Sequence, residues 1–536
     1  MSDLKVEVLV VGGGPVGLSM GVFLRRHGVD TLVVEKRSST SFLPRAPGLQ
    51  ARTLELFRAA GFGPRIRALE FGDSHPYFEG GIIQVRTFAE IDDAITLEAP
   101  SLDGPTISPE RVMGCGQDRY EKVLAELIEG DGGQVRFEHR LVSLDQDADG
   151  VDAVIEDKDG TRLNVRADYV VGADGAASTV RQLVGVERAG RGTVFNALSV
   201  YFSAPELEKL LKDRKFILCY ATNARAGMIG LSRLHGCDPW LATPIYYPER
   251  GETPEDFTDE RCIEIVRAAS GKPDMAVEVR AKVPWRGTQL VAETFKKGRV
   301  FLAGDAAHVH PPAGGFGANT GIHDSHNLAW KLAAVLQDKA GPALLESYDP
   351  ERRLVGEAMA EQAMVRNRIR HGYADEATRE SMVDDIVVTL GYRYRSAAIT
   401  GYDPAAPVLS TGPMLVGEPG TRAPHVWVDR GGERISTIDL FWDDFVLLTG
   451  TRDSGWLEAA ERVAKQLSVP LRCYVVGPGG DLVPESDWAA RYGVSGDGAV
   501  LVRPDAFVAW RSSGEPGDQD AVLTEVFTRA TGRGQS

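Results

Sequence analysis

Three acidic side chains stand where runs of aliphatic residues stop: Glu35 after residues 31–34, Asp174 after 168–172, and Asp305 at the end of the run that opens at 299. In an open α/β sheet, ligands collect beyond the carboxyl ends of the strands, so the two aspartates point into one crevice. A further run, residues 5–11 (KVEVLVV), passes directly into Gly12-Gly13-Gly14-Pro15-Val16-Gly17, the spacing G-x-G-x-x-G. Gly12 permits the tight turn there and Gly14 lets a pyrophosphate approach the backbone. Gly17 lets a helix pack closely on a strand, and the N-terminus of that helix supplies oriented N–H groups and partial positive charge. Glu35 lies 18 residues beyond Gly17, where an acid takes ribose hydroxyls, with Lys36 beside it. The chemistry implied is dinucleotide binding, and this motif alone does not choose between NAD and FAD.

The elements that must position these groups follow from periodicity. Residues 5–11 and 31–34 read as buried strands, and the amphipathic stretch between them ends at His27 with Gly28 placed for a left-handed helix stop. Residues 168–172 and 299–302 supply two more strands of the same sheet. Between about 186 and 285 the pattern changes to short alternating segments (197–202, 216–220, 241–247), which predicts an antiparallel sheet. A Pro/Gly-rich linker at 401–424 precedes a new α/β unit: a strand at 445–448, a helix at 456–466, a strand at 469–476 and a hairpin at 499–510. A helix is expected to begin near Ile322, with Leu328, Leu332, Val335 and Leu336 on one apolar face.

Composition narrows the partners. The chain of 536 residues carries a formal charge of −16, which disfavours nucleic acid or an anionic membrane as a partner. Its cysteines, Cys115, Cys219, Cys237, Cys262 and Cys473, form no C-x-x-C pair and no zinc spacing, so a reducing cytoplasm is the expected home. The apolar run 8–24 is broken by glycines and Pro15, and it fits neither a signal peptide nor a spanning helix.

Taken together, the G-x-G-x-x-G, the Asp-Gly at 174–175 and the Gly-Asp at 304–305 resemble the class A FAD-dependent aromatic hydroxylases of the p-hydroxybenzoate hydroxylase fold. The run GDAAHVHPPAGGFGANTGIHDSHNLAWKLA at 304–333 carries most of that likeness, joined by Pro44-Arg45-Ala46 and Gln117-Asp118. Residues 391–396 (GYRYRS) and the carboxy-terminal extension resemble the polyketide hydroxylase subgroup, of the aklavinone 11-hydroxylase kind.

The resemblance implies a Rossmann-like FAD-binding domain (1–75, 105–185, 286–400), an antiparallel β-sheet substrate domain (76–104, 186–285), the linker, and a thioredoxin-like domain at 425–536. It implies that Gly12, Gly14, Pro15, Gly17, Glu35, Lys36, Arg45, Gln117, Asp174, Asp305, Pro312, Gly315, Gly317, Ala318 and Asn319 hold FAD. Asp305 would serve the ribityl chain, Arg45 and Gln117 the pyrophosphate and ribityl region, and Asp174 both FAD and the path of a transient NAD(P)H. Tyr220, Phe316 and Arg393 are the candidates for the substrate pocket; Phe316 stands where the family commonly has Gln or a small residue. The implied reaction is hydroxylation of an aromatic, polyketide-type molecule with NAD(P)H and O2, the reactive oxygen forming on the flavin. An epoxidase or a Baeyer–Villiger-type oxygenase on the same scaffold is the alternative.

Other features take plainer readings. His308 and His310 have no matching carboxylate or cysteine cluster, so hydrogen bonding or packing is expected rather than a metal site. His323 and His326 read as part of a polar helix face. Where a working thioredoxin needs C-x-x-C, residues 449–456 read TGTRDSGW, so no thiol exchange is expected from the last domain.

Overall fold

The computed structural model describes residues 3–72, 80–99, 107–234, 238–409, 416–514 and 517–534; Cys237 and parts of the 76–104 and 401–424 stretches lie outside them. Five strands run parallel, side by side, in the order Val300–Leu302, Arg162–Gly172, Leu4–Val11, Thr31–Glu35, Gln134–Phe137. Val8–Val11, Leu32–Val34 and Val300–Leu302 are buried along their length, as a parallel sheet covered on both faces requires. The register pairs Val11 with both Gly172 and Val34, and Gly172 with Leu302. Four strand ends are therefore level, and the segments leaving them open on one edge.

On one face the helix Pro15–Arg26 packs against the long helix Phe316–Leu336. The long helix begins at Phe316, not near Ile322. Gly314 and Gly315 take up the turn, and the glycines at 317 and 321 do not break the helix: close packing needs Gly321, where a Cβ would stand 2.5 Å from Val16 and 2.9 Å from the Gly304 Cα, whereas a Cβ on Gly317 would meet only His310, at 3.7 Å. Leu328 and Leu332 enter the core with Val335 and Leu336 packed against it, as expected, but burial is not confined to that face and takes in polar side chains as well. Almost every residue from Asn319 to Ala333 is buried, since the helix is enclosed by neighbours on all sides.

The second sheet has nine strands, mostly antiparallel, built around Arg188–Ser203 and Glu278–Ala292, with Trp240–Thr243, Gly227–Arg233 and Leu218–Asn223 beyond. The expected strand at 241–247 is broken at Pro244, which lacks the N–H a ladder needs. His308–Val309 crosses from the first sheet to pair with Glu278–Ala292, so the segment carrying Asp305 is clamped between the two sheets.

The carboxy-terminal unit forms a four-stranded sheet, Leu471–Val475, Phe445–Thr449, Ala499–Val502 and Val508–Ser512, with helices Trp456–Leu467 and Gln519–Ala530. It does not hang free. Arg503 donates to both oxygens of Glu351 (2.6 and 2.9 Å), which also receives Lys331 Nζ at 2.7 Å, all three side chains fully buried. Arg422, in the expected linker, pairs in the same way with buried Glu55.

Candidate functional site

A cavity of about 980 Å3 runs from the level strand ends of the first sheet to the face of the second. Gly12 and Gly17 are dictated by packing: Gly12 has φ +116° and a Cβ there would meet the Ala173 carbonyl at 2.3 Å, while a Cβ on Gly17 would lie 1.8 Å from the Gly12 oxygen. Gly14 differs. It lines the cavity, and nothing lies within 4 Å of the place its Cβ would take. No side chain caps the Pro15–Arg26 helix, so its first N–H groups face the cavity unpaired by a cap. Glu35 Oε2 accepts the Gly13 N–H at 2.7 Å and Oε1 the Arg37 N–H at 2.8 Å. Burial pushes the Glu35 carboxyl up, but the Arg37 and Gly13 hydrogen bonds outweigh it and hold the pKa below the ordinary value. Lys36 and Pro15 also line this end.

Asp305, Pro312, Gly315, Gly317 and Ala318 line the middle. The Gly315 N–H donates to the Pro312 carbonyl at 3.0 Å, and its φ of +65°, rare for L-residues, turns the chain into the Phe316–Leu336 helix. That N-terminus too lacks a side-chain cap. Asp305 opens on the cavity; burial raises its pKa, with His308 and Arg188 opposing. Asn319 does not line the cavity. It ties the loop together, accepting from Gln50 N (2.9 Å) and Thr53 Oγ1 (2.7 Å) and donating to the Gly48 and Gly315 carbonyls.

Arg45 and Gln117 line the opposite wall, where the Gln117 N–H donates to the Arg45 carbonyl at 3.0 Å. Between them Ala46 has φ +42°, a conformation that is strained for a residue with a Cβ. Asp174 lines the cavity and also caps: Ser178 Oγ donates to Oδ1, and the Thr179 and Val180 N–H groups to Oδ2 at 2.7 and 3.1 Å.

Of the three residues expected at the substrate pocket, only Tyr220 lines the cavity. Its ring lies edge-on to His371 at 6.3 Å, and Phe195 packs edge-on to Trp285 at 5.4 Å beside it. Phe316 is instead buried under the loop, where its ring occupies the space a Gly314 Cβ would need, with Arg366 over it at 5.1 Å. Arg393 is paired with Glu418 and hydrogen-bonded through its backbone to Val408. Both corrections have one cause: an aromatic ring or a guanidinium in a motif-rich run says nothing of which side of the loop it falls on.

Several residues that shape the site escaped the sequence reading. Asp324, fully buried, accepts from the Gly304 N–H (2.9 Å), His308 Nε2 (2.8 Å) and Arg352 Nε (2.7 Å), so it fixes the loop that carries Asp305. Glu121 accepts from Gln117 Nε2 (2.6 Å) and the Ser41 N–H (2.7 Å). Arg370 donates to Glu98 at 2.6 and 2.9 Å at the cavity wall. Asp324 had a signal, a carboxylate inside an otherwise buried helix; the others had none. His323 and His326 are not on a polar face: both are 4% exposed, and burial holds their pKa values well below the ordinary. Among the described residues no group of three His, Cys, Asp or Glu side chains could hold a metal ion, and no helix is long and apolar enough to cross a membrane.

These features suit FAD. Gly14 and Gly315 leave open space where side chains would project, two helix N-termini face the same cavity, and Glu35 and Asp305 offer acceptors at strand ends. The volume, at the upper end of ordinary ligand sites, leaves room for a further ligand on the aromatic side.

Residues 5–363 match the family model described as an FAD binding domain, and 417–534 the aromatic-ring hydroxylase C-terminal model. The chain is 42% identical to the tetracenomycin A2 monooxygenase-dioxygenase of Streptomyces glaucescens, over 99% of this chain and 98% of that one. It is 44% identical to the tetracenomycin B2 monooxygenase-dioxygenase of Streptomyces olivaceus, over 99% and 100%. The crystal structure of aklavinone-11 hydroxylase with FAD and aklavinone superposes with a TM-score of 0.90 at 36% identity, covering 99% of this chain and 100% of that one.

Proposed function

The chain belongs to the FAD-dependent aromatic-ring hydroxylases, and on that premise we propose that its substrate is a polycyclic, polyketide-type aromatic bound between the flavin and the nine-stranded sheet. It is a monooxygenase that uses NAD(P)H and O2. The observation that carries the substrate reading is the single cavity joining the glycine-rich strand ends to the aromatic wall of Phe195, Tyr220 and Trp285. The relatives with polyketide-derived names support it, and they do not favour the epoxidase or Baeyer–Villiger alternative.

FAD, when bound, supplies the hydride acceptor and the centre at which dioxygen is activated. We assign Gly12, Gly14, Pro15, Glu35 and Lys36 to its nucleotide end, Arg45, Gln117, Asp174 and Asp305 to its middle, and Pro312, Gly315, Gly317 and Ala318 to its ring; Gly17 and Asn319 hold that shape from behind. The chain's own work is positional and electrostatic. The uncapped N-terminus of Phe316–Leu336 would offer partial positive charge to a flavin ring held at Pro312, Gly315, Gly317 and Ala318, favouring its reduced, negatively charged form. Asp324 keeps that terminus and the Gly304 turn in fixed relation. Apolar and aromatic side chains exclude water from the reacting face. Tyr220 remains a protonated phenol near neutrality, because burial raises its pKa and Arg370 only partly opposes this. It can therefore donate a hydrogen bond to a substrate oxygen.

We place the enzyme in the cytoplasm, in keeping with four described cysteines that are all free thiols, and assign it no nucleic-acid or membrane partner. The test is direct. Purified protein should show a flavin spectrum, and a panel of phenolic polyketides with NAD(P)H should stimulate oxygen uptake and give a product heavier by one oxygen that carries a new titratable phenol. A flavin spectrum with no stimulation by any phenol would move the substrate out of this class.

A further inference from the structure

His371 is the first residue past the helix Tyr348–Arg370. Its N–H still donates to the Asn367 carbonyl at 3.1 Å, and Gly372, at φ +74°, turns the chain away. The half-buried His371 ring lines the aromatic end of the cavity, edge-on to Tyr220 with centroids 6.3 Å apart and tilted 45° to Phe195 at 6.0 Å. No residue among those described hydrogen-bonds to either ring nitrogen. Burial, and Arg370 after it, hold the imidazole below its ordinary pKa of 6.5. Near neutrality the ring is therefore uncharged, and one nitrogen keeps a free lone pair.

The other bases that line the cavity are engaged elsewhere. Glu35 and Asp174 accept backbone N–H groups, Glu98 takes two N–H groups of Arg370, and Asp385 is paired with Arg366. Asp305 and His139 stand toward the nucleotide, at the ends of the parallel strands. His310 keeps Nδ1 against the Pro311 carbonyl at 3.1 Å and its Nε2 buried, and burial pushes its pKa down to about 4. Tyr220 keeps its proton. The surroundings of His371 also tolerate a charge on it. Glu98 balances Arg370, and the carboxyl end of a 23-residue helix favours a cation beside it.

We propose that His371 is the catalytic base that takes the proton of a phenolic hydroxyl of the substrate. The O–H bond breaks, the proton passes to the free imidazole nitrogen, and the oxygen keeps the electron pair. The phenoxide drives charge onto the ring carbons ortho and para to it, which activates them for hydroxylation, while the Tyr220 O–H donates to the phenoxide oxygen. The imidazolium returns the proton as the hydroxylated ring leaves. The hydroxyl concerned has no carbonyl beside it, since a neighbouring carbonyl would hold the proton itself. The inference rests on the reading of the cavity as the seat of an aromatic substrate, and the test separates the two.

The FAD-loaded full chain is given 2-naphthol or anthracen-2-ol with NADPH or NADH and O2, from about pH 5.5 to about pH 9, a range that spans the imidazole and approaches the phenol. Binding is followed by the fluorescence of the phenol and turnover by the hydroxylated product. In the wild type kcat/KM should be level above neutrality and fall as pH drops through the imidazole pKa, below 6.5. His371→Gln can accept a hydrogen bond but cannot take a proton, so it should bind the phenols within about threefold of the wild type. Its turnover near pH 7 should fall roughly 100- to 10,000-fold, and should climb with pH toward the ionisation of the phenol itself at about 10. His371→Phe, which keeps a ring against Phe195 and Tyr220, should show the same climb. A Gln variant with wild-type turnover, or one slowed equally at every pH, overturns the base. If the wild type binds and hydroxylates the phenols in that case, the reading of the cavity stands and only the base falls; if it binds neither phenol, both fall.

Discussion

Gly14 and Gly17 belong to one motif yet face opposite consequences on gaining a methyl group. At Gly14 the backbone is extended (φ −86°, ψ −173°), which any residue adopts, and the Cβ position is empty to 4 Å. Gly14→Ala should therefore change the stability of the flavin-free protein by less than about 1 kcal/mol, the poorer helix cap being offset by the stiffer unfolded chain. The methyl, however, projects into the cavity and holds an anionic ligand away from the helix N–H groups. Losing a charge-assisted hydrogen bond costs about 1.5–3 kcal/mol, which weakens FAD binding roughly 10- to 150-fold. At Gly17 the added Cβ would stand 1.8 Å from the Gly12 carbonyl oxygen, backbone against backbone, with no side chain to give way. Gly17→Ala should cost about 1–3 kcal/mol or more of stability before any ligand is added. Urea denaturation of the flavin-free proteins and fluorescence titration with FAD measure both quantities. The assignment of this end of the cavity to FAD is wrong if Gly14→Ala binds FAD as the wild type does. The packing argument is wrong if the two variants are equally stable without it.

Other outcomes follow from the buried charges and imidazoles. Burial holds His326 well below its ordinary pKa of 6.5, so as pH falls through 6.5 the unfolded chain takes up a proton that the folded chain does not, and stability falls. At about pH 5.5 that amounts to about 1.4 kcal/mol for one such histidine. His326→Phe, whose ring can keep the edge-on contact to Phe23, should flatten the decline between about pH 7.5 and 5.5 by that amount; parallel curves in urea titrations at the two pH values would refute it. Asp324→Asn leaves Arg352 buried without its carboxylate, so a loss of about 3–5 kcal/mol is expected, together with release of flavin on gel filtration; retention of both would remove Asp324 from its positioning role. Arg503→Met removes one of the two cations paired with buried Glu351, leaving Lys331, and should destabilise the FAD-binding part as well as the carboxy-terminal unit, seen as loss of flavin in the same thermal transition; separate transitions would show the two units to be independent.

Much of the architecture was legible from residue pattern alone. Aliphatic runs ending in Gly12, Glu35, Asp174 and Asp305 mark parallel strands whose carboxyl ends line one cavity, because period, burial and turn chemistry are local properties of the chain. The carboxy-terminal strands and helices were legible for the same reason. What needed the tertiary structure was direction and partnership. Phe316 and Arg393 stand in suggestive runs, yet one packs beneath the loop and the other pairs with Glu418, since sequence spacing does not say which side of an irregular loop a side chain takes. Asp324 and Arg352, 28 residues apart, meet at 2.7 Å only because two helices cross there. Sequence by itself determined where the strands end and what chemistry stands at those ends. The fold decided which of those groups face the same cavity, because hydrogen bonds and burial between distant segments exist only once the helices and the two sheets have packed.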